Sequence, residues 1–258
     1  MRLYVLDLGR IIMMGENPVT SQDEPAAAIP IDAFLVDTPT EKILFDTGCV
    51  PGCMQGVWPK ELCKNPVVPP RSGSLVEQLA QLNIAPEEIT CIVASHLHLD
   101  HAGGLHLFPN ARVFVQEQEL KHVMDDAAAG TLDMFHLACD VENWTRASVR
   151  WEPISGEPVK LCKDVTVLDF GAGHSFGMLG MLVRLTCGSF LLVSDAVYSA
   201  AHYGPPAKLS GAVEDQAGYF AAIEKIRNLS KAYNAQVLYG HDSEQFETLK
   251  KGPLEFYQ

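Results

Sequence analysis

The sequence has no long hydrophobic run, few basic residues and no CxxC cysteine pair, and each lack removes a class of protein. No apolar stretch approaches the roughly 20 residues of a membrane-spanning helix, so no membrane partner is expected. The opening MRLYVLDLGRII carries Asp7 inside its apolar stretch and lacks a small-residue cleavage site. A secretory signal is therefore not expected, and a cytoplasmic location is. Lys and Arg number 19 against 32 Asp and Glu, a net charge of −13. That balance repels polyphosphate and argues against a nucleic-acid partner. Seven cysteines, an odd number at uneven spacing, read as reduced thiols. Cys49, Cys53 and Cys63 cluster, but without a CxxC pair they read as loop or pocket thiols rather than a third metal site.

What is present is enough apolar material for a core: 47% of 258 residues, suited to one large α/β domain or two small ones. Strands are expected at Leu3–Leu8, Ile11–Met14, Ile31–Asp37 and Lys42–Asp46, the last two as a hairpin. Thr47–Arg71 is rich in Gly, Pro and Cys and shows no period, which marks a long loop of the kind that walls pockets. Ser74 with Glu77 forms a capping box for a helix to about Leu82. Thr90–Ala94 and Arg112–Val115 read as strands, Glu117–Met124 as a short helix, and Asp125–Thr145 as polar and irregular. Further strands are expected at Val149–Ile154, Val159–Leu161, Val165–Asp169, Met178–Leu185, Ser189–Ser194 and Gln236–Tyr239. A helix over Asp215–Tyr233 shows 3–4 spacing of Tyr219, Phe220, Ile223, Ile226, Leu229 and Tyr233. Strand-rich halves with flanking helices predict two sheets face to face with helices outside. Residues 1–258 form a single domain in this expectation, with two halves alike in outline and a divide near 125–148.

The densest chemistry is His96-Leu97-His98-Leu99-Asp100-His101. Imidazole and carboxylate suit Zn²⁺, with Mn²⁺, Fe²⁺ or Co²⁺ as competitors. One ion does not easily take four ligands from so short a stretch, so two adjacent ions are expected. Three later residues follow predicted strands: His174 in GAGHSFG, Asp195 after Phe190–Val193, and His241 after Val237–Gly240. Asp195 has two oxygens with which to bridge two ions. Two Zn²⁺ with Asp100, Asp195 and one hydroxide leave about +1, which favours an oxyanion and fits hydrolysis.

SHLHLDHAGG, GHSFG, the aspartate of LLVSDAVY and the histidine of YGHD, in this order, resemble the metallo-β-lactamase superfamily. Within it the chain is similar to the N-acyl homoserine lactone lactonases, from RLYVLDLG through IPIDAFLVDT and ILFDTG to KKGPLEFYQ. The resemblance implies an αββα sandwich with a two-zinc site at one edge. It implies that His96, His98 and His174 hold one ion, that Asp100, His101 and His241 hold the other, and that Asp195 bridges. Tyr198 matches the family tyrosine that touches the substrate carbonyl, and Asp100 would pass the proton to the leaving alkoxide. The implied partner is a small-molecule lactone, with the chain a monomer or homodimer. The alternatives are another small lactone, such as γ-butyrolactone or 4-pyridoxolactone, or a thioester opened as in glyoxalase II. One departure stands out: Phe176 and Met178 occupy positions where these lactonases carry proline and histidine, which bears on pocket shape rather than on metal.

Other residues have plainer expectations. His106, His122, His136 and His202 read as core or surface histidines, and Asp37 as surface. Asp46 in the DTG turn either orients a ligand histidine or only forms the turn. His202 and Tyr203 are further pocket candidates, and the loops 47–71 and 199–214 are expected to wall the pocket.

Overall fold

Successive side chains of a strand point to opposite faces, and in this chain both faces are apolar. In β1 (Arg2–Ile12) Leu3 and Val5 face one way, Tyr4 and Leu6 the other, and all four are buried. Strands covered on both sides must lie between two layers, and the computed structural model, which describes residues 1–14 and 27–258, supplies them. One sheet is built from β1, β2 (Ala28–Asp37), β3 (Lys42–Phe45), β4 (Val67–Val68), β5 (Ile89–Val93), β6 (Arg112–Gln116) and β7 (Arg150–Ile154). Its order is β4-β1-β2-β3-β5-β6-β7, antiparallel from β4 to β3 and parallel from β3 to β7. The second sheet contains β8 (Val159–Cys162), β9 (Val165–Gly171), β10 (Met178–Leu185), β11 (Gly188–Ser194) and β12 (Ala235–Tyr239). Its order is β12-β11-β10-β9-β8, antiparallel except for the parallel pair β11 and β12.

Between the sheets lie Leu3, Val5, Phe34 and Phe45 from the first and Val167, Leu179, Met181 and Leu192 from the second. The outer face of the first sheet packs on α1 (Leu75–Gln81), α2 (Glu117–Ala129) and α3 (Ala138–Arg146) through Leu79, Val123 and Trp144. The outer face of the second packs on α5 (Gln216–Tyr233), which follows the short α4 (Ala200–Tyr203), through Tyr219, Ile223 and Ile226. A last helix, α6 (Ser243–Thr248), places Phe246 in the inter-sheet core. The layers are helix, sheet, sheet, helix, the expected αββα sandwich. No helix among the described residues is long and apolar enough to cross a membrane.

Three local differences have physical reasons. The two amino-terminal strands are one strand, bent by a bulge between Asp7 and Gly9. Gly9 sits at φ 113°, and a Cβ there would lie 2.3 Å from the Val68 carbonyl oxygen, so only glycine lets β4 pair with β1. The loop 47–71 is thus not free of structure: it contains β4 and two 3₁₀ turns. The segment 125–148 is largely helical, with α2 ending at Gly130 in the left-handed conformation and α3 burying Trp144.

Candidate metal centre

Strand ends deliver the chemistry. His96 to His101 follow β5, Asp46 follows β3, His174 follows β9, Asp195 follows β11 and His241 follows β12. The window after β5 folds as a turn, its His101 and Ala102 amides both donating to the His98 carbonyl at 3.0 Å. Gly240 is required beside Asp195: a Cβ there would come within 2.3 Å of Oδ1.

The seven side chains converge. His96, His98 and His174 form one trio, Asp100, His101 and His241 a second, and His96, His101 and Asp195 a third. Within each trio the donor atoms lie within 4.8 Å of one another. His174 Nε2 is 3.0 Å from His98 Nδ1. Asp195 stands between the first two trios, its Oδ2 at 3.3 Å from His174 Nε2 and 3.1 Å from His241 Nε2. Its Oδ1 lies 3.5 Å from His101 Nε2. Asp100 Oδ2 lies 3.6 Å from His101 Nε2 and 3.7 Å from His241 Nε2.

The donors fit cations rather than one another. His96 Nε2, His101 Nε2 and Asp195 Oδ1 are buried without a hydrogen-bond partner. Burial and the neighbouring imidazoles hold His96 and His98 well below the ordinary histidine pKa, so both present lone pairs. Burial opposes ionisation of Asp195, but the charges of His241, His101 and His174 overcome it and hold the carboxyl below its ordinary range. Burial likewise pulls His241 down, and Asp195 outweighs it to carry the imidazole up to about 9. Imidazole and carboxylate donors converging on one buried carboxylate are a set that suits a divalent metal.

A model of the metallo-beta-lactamase superfamily matches residues 27–241. The chain belongs to this superfamily. Within it, the chain is 37% identical to the N-acyl homoserine lactonase AiiB of Rhizobium rhizogenes, over 100% of this chain and 99% of that one. AiiB of Agrobacterium fabrum is equally similar, at 37% over the same shares. Among solved structures, an N-acyl homoserine lactone hydrolase with N-hexanoyl-L-homoserine bound at its catalytic metal center superposes with a TM-score of 0.82. At 23% identity, over 99% of this chain and 98% of that one, it shares the fold.

A metal centre depends on what grips its donors from behind, and here the candidate ligands His96, His101, His174 and His241 are held that way. Asp46 accepts from Ser95 N at 2.7 Å, Ser95 Oγ at 2.8 Å and His101 Nδ1 at 2.9 Å. The Ser95 hydroxyl in turn meets His96 Nδ1 at 2.9 Å. His174 Nδ1 donates to the Ala212 carbonyl at 2.8 Å and His241 Nδ1 to the Pro30 carbonyl at 2.9 Å. Asp46 therefore does more than shape its turn.

Glu119, fully buried on α2, was not singled out from the sequence. Its Oε1 accepts from Leu97 N at 2.8 Å, between His96 and His98, and its Oε2 from Ser175 Oγ at 2.7 Å and Gly177 N at 3.2 Å, just past His174. His136 Nε2 lies 3.3 Å from the same carboxylate, and its Nδ1 meets Asp133 at 3.0 Å. Burial pulls the His136 pKa down, but the bonds to Asp133 and Glu119 outweigh it and raise it to about 9. His136 is thus a core histidine with a task, its ring 4.7 Å from that of His98.

A cavity of about 280 Å³ opens onto Asp100, Asp195, Tyr198 and His241. Burial, with Asp195 and Asp100 nearby, pushes the Tyr198 hydroxyl well above its ordinary pKa, so it keeps its proton. Of the two loops expected to wall the pocket, 47–71 contributes Trp58, Leu62 and Asn65, whereas 199–214 contributes no lining residue. That second loop supplies the Ala212 carbonyl to His174 instead. Tyr203 packs on Tyr239 and Arg227, and His202 meets Ser199 at 2.8 Å; neither lines the cavity. Nor do Phe176, stacked on His122, and Met178, buried against α5's core, so the departure from the lactonase pattern lies outside this wall. Ile11, Ile29 and Phe135 are among the wall residues that sequence reasoning missed, with Met13, Met14 and Met134.

Proposed function

We propose that the chain is a dinuclear metal-dependent hydrolase that opens the ring of N-acyl homoserine lactones, with zinc as its metal. The observation that carries this reading is Asp195, which lies between two trios of candidate ligands and lines a mostly apolar cavity. Kinship at 37% identity with N-acyl homoserine lactonases supports the choice of substrate. His96, His98 and His174 would hold one ion and Asp100, His101 and His241 the other, with Asp195 shared. When bound, two divalent cations supply Lewis acidity, polarising the ester carbonyl and bringing the pKa of a water toward about 7.

The protein's own groups do the rest. Tyr198 donates its hydroxyl proton in a hydrogen bond to the carbonyl oxygen as that oxygen gains charge. The Asp100 carboxylate takes the proton released by the attacking water and returns it to the ring oxygen as the C–O bond breaks. The open hydroxy acid is the product. Ile11, Ile29, Leu62 and Phe135 offer the acyl chain an apolar bed away from water.

The test is metal analysis of the purified protein with a pH-indicator assay over lactones differing in ring size and acyl chain. Two equivalents of zinc and fastest opening of acylated homoserine lactones are expected. Hydrolysis of thioesters alone would overturn the reading.

A further inference from the structure

One stretch of the cavity wall has a fastening of its own. Between α2 and α3, residues 131–137 form neither helix nor strand, yet Met134 and Phe135 line the cavity. Backbone amides outside a ladder need another acceptor, and here it is the side chain of Asp133. Its Oδ1 accepts from the amide of Phe135 at 2.7 Å and from that of His136 at 2.9 Å. An aspartate that takes the amides two and three residues ahead closes a turn through its own side chain. Both carboxylate oxygens also lie 3.0 Å from His136 Nδ1. His136 is buried and its Nε2 reaches Glu119, so the turn is anchored in the core.

What this turn presents is Phe135, a half-buried residue of the cavity wall. Its ring stacks on that of His98, with 5.1 Å between centroids and 28° between planes. Its carbonyl accepts from Leu99 N at 2.9 Å, in the middle of the ligand turn. Phe135 is thus fixed from two sides. Asp133 holds its amide, and the ligand turn holds its ring and carbonyl. Asp133 itself is exposed and does not line the cavity, so whatever it does for a bound molecule it does through Phe135.

We infer that Asp133 is a positioning residue for substrate specificity: by closing the turn at 133–136 it holds Phe135 against His98 as a fixed apolar face for the acyl chain. The inference rests on the proposed lactonase reading and deepens it, assigning the preference for a longer over a shorter acyl chain to this turn. An aromatic ring already fixed before binding loses little freedom when the chain arrives. A loosened Phe135 must be ordered at every encounter, and that cost is subtracted from the grip on the chain.

The test compares N-decanoyl with N-butyryl homoserine lactone through the ratio of their kcat/KM values. Loss of metal or of folded enzyme lowers both values alike and divides out, so a merely structural role does not move the ratio. Wild type is expected to favour the decanoyl substrate. Asp133→Ala removes the acceptor of both amides and is expected to lower the ratio roughly tenfold, the equivalent of losing contact with about two methylenes. Asp133→Asn keeps an oxygen for both amides and is expected to stay within about twofold of wild type. Phe135→Ala removes the ring itself and is expected to lower the ratio at least as far as Asp133→Ala. The double alanine variant is expected to match Phe135→Ala alone, because Asp133 acts through that ring. A wild-type ratio near one, an undiminished ratio in either alanine variant, equal losses in Asp133→Asn and Asp133→Ala, or additive losses in the double variant would overturn the inference. A wild-type protein that opens neither lactone would instead overturn the functional reading, a result recognisable without any variant.

Discussion

Asp46→Asn should cost metal affinity without disturbing the backbone. Asp46 sits at φ 61°, a left-handed conformation that asparagine adopts readily. Its Oδ1 takes the Ser95 amide and its Oδ2 takes His101 Nδ1, at 2.7 and 2.9 Å. An asparagine must aim its NH₂ at one of these partners. Facing the Ser95 amide, it sets donor against donor at a backbone group that cannot turn away. Facing His101, it donates to Nδ1 and moves the imidazole proton to Nε2, the atom aimed at Asp100 and Asp195. Either way a ligand is compromised. A hydrogen bond to a charged group contributes about 1.5–3 kcal/mol, so affinity for the ion nearest His101 should fall roughly 10- to 100-fold. Competition against a chromophoric chelator measures this, with circular dichroism confirming the fold. Affinity within twofold of wild type would refute the role assigned to Asp46.

Glu119→Gln should act similarly from the opposite side, since an NH₂ on either Oε position meets a backbone amide, that of Leu97 or Gly177. A loss of metal affinity of roughly tenfold or more is expected by chelator competition, and an unchanged value would remove Glu119 from the support of the site. Tyr198→Phe should lower kcat on the preferred lactone by some tens-fold while metal content by atomic absorption stays at wild type; unaltered turnover would exclude the hydroxyl from the reaction. Asp140→Asn should stabilise the protein increasingly as pH rises. Burial, only partly offset by the Cys139 thiol, lifts the Asp140 carboxyl from 3.8 up to about 7, so above pH 4 the folded state holds a proton that the unfolded chain has released. Wild-type stability from this group therefore falls between pH 4 and 7, and the variant's advantage in urea unfolding should grow by about 2–3 kcal/mol from pH 5 to pH 8. An equal advantage at both pH values would refute it.

The parts of the site legible in the sequence are those whose chemistry is local. His96 to His101 announce a metal turn because four donors crowd six positions, and His174, Asp195 and His241 each follow an apolar run that could only be a buried strand. Glu119 was hidden by its company. Glu117, Gln118 and Lys121 make the start of α2 look like a solvated face, yet Glu119 is four residues before the buried Val123 and shares its side of the helix. A carboxylate on the apolar face of a helix was the available signal. The wall formed by Ile11, Ile29 and Phe135 had none, since three segments far apart in the chain meet only in the folded state. The loop 199–214 misled for another reason: its contribution is the backbone carbonyl of Ala212, and a carbonyl leaves no mark on side-chain identity.

The candidate ligands come from both halves of the sandwich, the early turn from the first sheet and His174, Asp195 and His241 from the second. Any cation held jointly by them would act as a rivet through the seam of the two layers. Its binding free energy would then be drawn on by thermal unfolding as well as by chemistry. At free metal a thousandfold above Kd, the clamp would add about 4 kcal/mol to cohesion between the sheets. A chelator would loosen the whole sandwich, not merely silence it.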